Sequence, residues 1–138
     1  MYGRIFRLLI LLLACGAALA GCKKDTEVNA VIGELDSFTK ELVSKVESAP
    51  NPSAGVDEAQ KYLDEHKADL KAKINSLKEL RGYQVSDDTM KKMKESVTED
   101  AMSVAKLQIK YIQQSMRDPA FKAKLDKLLN DYQSLLTV

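Results

Sequence analysis

The sequence predicts an all-α protein: a small antiparallel bundle of four helices behind an N-terminal export segment. Three observations lead there. From Val28 onward, apolar residues recur at spacings of three and four in four successive stretches. The composition is rich in Leu, Lys, Ala, Glu and Asp, with Val and Ile sparse and Trp absent, which favours helix over sheet. Strong turn signals fall between those stretches, at Pro50-Asn51-Pro52, around Gly82, and at Asp118-Pro119.

The chain opens with Arg4 and Arg7, then carries no charge until Lys23, and Leu8 to Leu13 is unbroken Leu and Ile. That run reads as a secretory signal and is short for a membrane span, which needs roughly 20 apolar residues. It ends in Leu19-Ala20-Gly21-Cys22. These four residues resemble the lipobox of bacterial lipoproteins, which the type II signal peptidase recognises, and the resemblance covers the first 22 residues only.

It implies cleavage between Gly21 and Cys22, a diacylglyceryl thioether on the Cys22 sulfur and a further acyl chain on the new amino group. Two or three acyl chains exceed what stable anchoring in a lipid bilayer requires. Leu12-Leu13-Ala14-Cys15 is a weaker match that would cut the apolar region short and leave an apolar mature N-terminus. With Cys15 removed and Cys22 lipidated, no disulfide can form within one chain. Lys23 after the Cys, where Asp is the usual inner-membrane signal, implies the periplasmic face of the outer membrane. In a Gram-positive source the same anchor implies the outer face of the plasma membrane.

The organisation expected is a cleaved signal over 1–21, a short lipid-anchored tether over 22–25 and a helical domain over 26–138. Cleavage removes both signal arginines, which moves the net charge from +1 to −1 and gives no reason to expect nucleic acid. The first helix is expected to take Asp25 as N-cap, with an apolar stripe of Val28, Val31, Ile32, Leu35, Phe38, Leu42 and Val46. Gly33 inside it either allows a close helix approach or is incidental. The second helix begins near Ser53 and buries Val56, Ala59, Leu63, Leu70, Ile74 and Leu77, with His66 on that face. Gly82 suits a left-handed residue after its end, with Tyr83 packing back on Leu77.

Ser86 is the expected N-cap of the third helix, with a Val85–Met90 staple and a stripe of Met90, Met93, Val97, Ala101, Val104, Leu107 and Tyr111. Asp118 and Pro119 suit the N-cap and first turn of a fourth helix, which buries Phe121, Leu125, Leu128, Leu129, Tyr132 and Leu136. The joint is short enough that the third and fourth helices are alternatively one kinked helix, for three in all. Six acid-first i,i+4 pairs mark solvated faces: Asp36–Lys40, Glu41–Lys45, Asp57–Lys61, Asp69–Lys73, Asp87–Lys91 and Asp88–Lys92.

Motifs for chemistry are sparse. A di-iron carboxylate bundle needs two Glu-x-x-His motifs, and the residue three before the single histidine, His66, is Leu63. Met90, Met93, Met102 and Met116 with His66 make a soft-metal set conceivable, although methionine at stripe positions is ordinarily core filler. Glu99-Asp100 and Lys91-Lys92-Lys94 read as surface charge. No Gly-rich phosphate loop and no nucleophile–histidine pairing is present, and no cofactor is called for. The expectation is a non-enzymatic, lipid-anchored interaction protein with an envelope protein or the cell wall as partner. The alternative is a ligand- or metal-binding carrier bundle.

Overall fold

The computed structural model describes residues 24–80 and 84–137. Within them the chain forms five helices and no strand: α1 (Asp25–Ser48), α2 (Pro52–Lys78), α3 (Asp87–Lys110), α4 (Ile112–Arg117) and α5 (Pro119–Leu136). Gly21, Cys22, Gly82 and Tyr83 lie outside the described residues, and with them the lipobox and the expected cap of α2. Among the described residues no helix is long and apolar enough to cross a membrane.

The prolines divide the chain. A residue before proline is pushed out of the helical region by the pyrrolidine ring. Ala49 (φ −68°, ψ 135°), Asn51 (−119°, 113°) and Asp118 (−128°, 94°), each followed by proline, are all extended. Two of these residues also cap the helix that comes next. Asn51 Oδ1 accepts from the Ser53 and Ala54 amides at 2.9 and 3.4 Å, and Asp118 Oδ1 accepts from those of Ala120 and Phe121 at 3.0 Å each. Ser86 Oγ accepts from the Thr89 amide at 3.3 Å, as expected for the N-cap of α3.

Asp25 does not cap α1. It is the first residue of that helix, after Lys24, and its Oδ1 instead accepts from the Ser86 amide (2.8 Å) and Ser86 Oγ (3.0 Å). The carboxylate thus ties the start of α1 to the start of α3. The third predicted helix breaks at Tyr111 (φ −103°, ψ 16°), giving α4 as a further turn and a half before Asp118 turns the chain into α5.

Consecutive long helices run antiparallel, but they are not all neighbours. α1 packs on α2 and α3, and α5 packs on α2 and α3, which leaves α2 and α3 on the diagonal. Neighbours α1 and α3 are therefore parallel, meeting in step at Asp25–Ser86, Asp36–Ser96 and Glu47–Lys110. α2 and α5 are parallel likewise, through Asp57–Lys124 (2.6 Å) and Gln60–Asp131 (2.9 Å).

The main core runs through all four long helices, with Leu42, Val46, Leu63, Leu107, Phe121, Leu125, Leu128 and Leu135 essentially inaccessible. In α5, Leu135 is buried while the expected Leu136 and Leu129 are only half-buried. A separate cluster of Val28, Ile32 and Val85, with Leu77, Leu80, Met90 and Met93 against it, closes the end where α1 begins. The Val85–Met90 staple is part of it.

Candidate functional site

Two features of the bundle are not accounted for by packing alone. The first is a polar seam between α1 and α3. In place of the apolar stripe expected of α3, the side chains turned to the core are Thr89, Ser96, Asp100, Val104 and Leu107. Asp100, read from the sequence as surface charge, is only 6% exposed.

Asp36 was expected to pair with Lys40 on the surface. It instead accepts a short hydrogen bond from Ser96 Oγ and faces Asp100. Burial, then the negative charge and hydrogen bonding of Asp36, push the Asp100 carboxyl from its ordinary 3.8 up to about 7, while Thr39 and Lys40 act in the opposite sense. Asp100 Oδ2 is buried without a hydrogen-bond partner among the described residues, an environment that favours the protonated form of its carboxyl group.

Beside the pair, Thr39 Oγ1 donates to the Leu35 carbonyl at 2.9 Å, which leaves Tyr132 OH to donate to Thr39 at 2.6 Å. Burial first, then the charges of Asp100 and Asp36, raise the Tyr132 phenol well above its usual value. It stays a neutral donor. This seam forms the floor of an open groove of about 520 Å³ bordered by Lys40, Ser44, Glu47, Glu99 and Ser103. Chemically, Asp100 can hold and release a proton near neutral pH. Among the described residues no group of three or more His, Cys, Asp or Glu is arranged to hold a metal ion.

The second feature is an apolar groove of about 570 Å³ near the start of α1, within the about 300–1,000 Å³ of small-molecule sites. Its walls come from α1, α2 and α3, and Leu136 of α5 lies at one end. Met90, Met93 and Val97, expected as core, are half-buried along it, because α2 stands across the diagonal from α3. Ala101, further along the same α3 stripe, lines the adjoining groove against α5. Met102 and Met116 are exposed.

His66 also departs from expectation. It is exposed, its Nδ1 lies 2.8 Å from the Tyr62 carbonyl oxygen, and its ring sits 4.4 Å from that of Tyr62 and 6.0 Å from that of Phe38. Lys45 Nζ approaches the same Tyr62 ring at 4.9 Å. His66 and the paired methionines border different grooves and are not brought together.

Of the six expected i,i+4 ion pairs, Glu41–Lys45 (3.1 Å) and Asp69–Lys73 (2.7 Å) form. Asp57 reaches across to Lys124 instead, and Lys91 turns to Glu95 (3.8 Å). The buried polar seam is not legible in the sequence, because nothing in one sequence separates a carboxylate on a core face from one on a solvated face. The only trace is spacing: Asp36 and Thr39 lie three apart, Ser96 and Asp100 four apart. No family model matches the chain, no curated protein matches it, and no solved structure matches it.

Proposed function

We propose that the protein is a lipoprotein of the bacterial envelope, acylated at Cys22 and held at the periplasmic face of the outer membrane. Its bundle then acts as a non-enzymatic interaction module for an envelope protein or the cell wall. The observation that carries this reading is Leu19-Ala20-Gly21-Cys22 placed directly ahead of the helical domain. α1 starts at Asp25, so only Lys23 and Lys24 separate the acylated residue from it. The start of α3 is tied to the same end by Asp25 and Ser86, so the domain keeps close to its leaflet.

The opposite end offers a surface consistent with interaction. Met102, Ile109, Ile112 and Met116 are all more than half exposed, Ile109 and Met116 by 73% and 76%. Met102 and Ile109 lie seven apart on α3 and Ile112 and Met116 four apart on α4, so each pair shares one side of its helix, and contiguous exposed apolar patches mark interaction surfaces. Lys110 bonds Glu47 at 2.8 Å beside them, which puts these residues near the end of α1, about 36 Å from its start.

Fractionation of cells expressing the full chain tests the anchor. The wild type should partition with membranes and yield an N-terminal peptide carrying the mass of an acylated Cys22, and Cys22→Ala should not be released as a processed membrane-bound form. A variant that fractionates and is processed like the wild type would remove the basis of the proposal. A photo-cross-linker at Ile109 should capture an envelope component in native membranes, whereas one at Lys91, on a solvated face, should not.

A further inference from the structure

We propose that the groove at the anchored end binds the acyl chain of an anionic phospholipid drawn from the adjoining leaflet. The inference rests on the envelope reading only in placing a leaflet beside the groove.

The groove exists because of how the helices are arranged. α2 and α3 stand on the diagonal and leave a gap, and α5 fills only part of it. Eighteen residues make α5 about 27 Å long, against about 40 Å for the 27 residues of α2. Beyond Leu136 the described residues leave the gap between α2 and α3 open, floored by Ile32 and Leu35 of α1 and walled by Leu77 and Met93. Unbranched thioether side chains adapt to a flexible chain better than branched ones do. The lining has apolar length and little to hydrogen-bond, which suits an alkyl chain better than a polar metabolite.

The rim selects the headgroup. Lys78, in the last turn of α2, and Lys94 of α3 border the groove from opposite walls, and no acidic residue lines it among the described residues. Neither lysine is engaged by a described carboxylate, unlike Lys73 nearby, which holds both Glu34 and Asp69. Two ammonium groups without a described carboxylate partner on the rim of an apolar slot match a phosphate at the head of a fatty chain.

The groove also lies at the end of the bundle where α1 begins. The Lys24 amide donates to the Gln84 carbonyl at 2.7 Å, fastening the chain just after Cys22 to the segment that leads into α3. Val28 and Ile32, in the first turns of α1, share an apolar cluster with Leu77 and Met93. Only Lys23 separates Lys24 from Cys22 in the sequence, a chain length of at most ~7 Å. The occupant is assigned to surrounding phospholipid and not to the Cys22 lipid itself, because a diacylglyceryl group is uncharged and leaves both lysines unmatched.

The test uses the full chain in phosphatidylcholine vesicles doped with phosphatidylglycerol that carries a diazirine at its acyl terminus. Cross-links should map to Met93 and Leu77 and spare Ile109, which is as apolar and more exposed. The same diazirine on phosphatidylcholine should label the groove roughly tenfold less, and the double variant Lys78→Glu/Lys94→Glu, with unchanged circular dichroism, should lose that preference. Labelling of Ile109 equal to that of Met93, labelling indifferent to the headgroup, or an unlabelled groove would each overturn the proposal. The mass of the Cys22 peptide in the same digest reports on the anchor independently, so an unacylated chain counts against the envelope reading and not against the groove.

Discussion

At the scale of single residues, the two described glycines within helices have opposite roles. Gly33 is exposed, and a methyl group built there meets nothing within 4 Å. Gly55 is buried where the start of α2 crosses the end of α1, and a methyl group there falls 2.8 Å from Ala49 Cβ and the Lys45 carbonyl and 2.9 Å from that of Val46. Two of those neighbours are backbone and cannot give way without shifting α1. Gly33→Ala should therefore raise stability by up to about 1 kcal/mol through helix propensity. Gly55→Ala should lower it by about 1–3 kcal/mol through overpacking. Urea unfolding of the two variants measures both signs. From the sequence the two glycines are indistinguishable in kind, since what sets them apart is the distance to another helix.

At the scale of elements, capping and the three prolines explain where helices start and stop, and most of that is local chemistry. The start of α3 is the exception, because its cap is itself held from α1. Ser86→Ala removes the acceptor for the Thr89 amide and should cost about 1 kcal/mol. Asp25→Ala leaves the Ser86 amide and hydroxyl without their carboxylate, and a similar loss is expected. Because the two side chains share a contact, the double variant should lose less than the sum. Additivity within about 0.5 kcal/mol, measured by denaturant titration, would show that the Asp25–Ser86 link contributes nothing. The existence of α3 and its Ser86 cap are legible in the sequence. Which face of α3 is buried is not, because Met90, Met93, Val97 and Ala101 make a convincing stripe that the diagonal placement of α2 leaves half covered.

At the scale of the whole molecule, the buried carboxyl pair couples folding to pH. Asp100 has an ordinary pKa of 3.8 and holds its proton up to about 7 in the fold. Between those limits the folded state binds the proton and the unfolded state does not. Stability is thus greatest near the lower limit and falls as pH rises toward 7, by at most about 1.4 kcal/mol per pH unit. Asp100→Asn keeps the shape and removes the charge, so its melting temperature should vary less over that interval and exceed that of wild type at pH 8. A wild-type melting temperature that rises steadily from pH 4 to pH 7 would contradict this account. The surface ion pairs are a lesser influence, being solvent-screened contacts of at most about 1 kcal/mol.

What the sequence by itself determines is everything governed by near neighbours along the chain: four long helices, their proline breaks, two of their caps, and most of the buried residues of α1, α2 and α5, Val31, Leu129 and Leu136 being among those only half-buried. It also supplies the lipobox resemblance at Cys22, on which the envelope proposal rests. Only the tertiary structure decides that α1 and α3 lie side by side in parallel. That arrangement faces Asp36 toward Asp100 and opens an apolar groove between α2 and α3. The physical reason is that an amphipathic stripe states which side of a helix avoids water, but not which helix will cover it. The three connections between the long helices are compatible with more than one order around the bundle, and the buried seam of Thr39, Ser96, Asp100 and Tyr132 exists in this one.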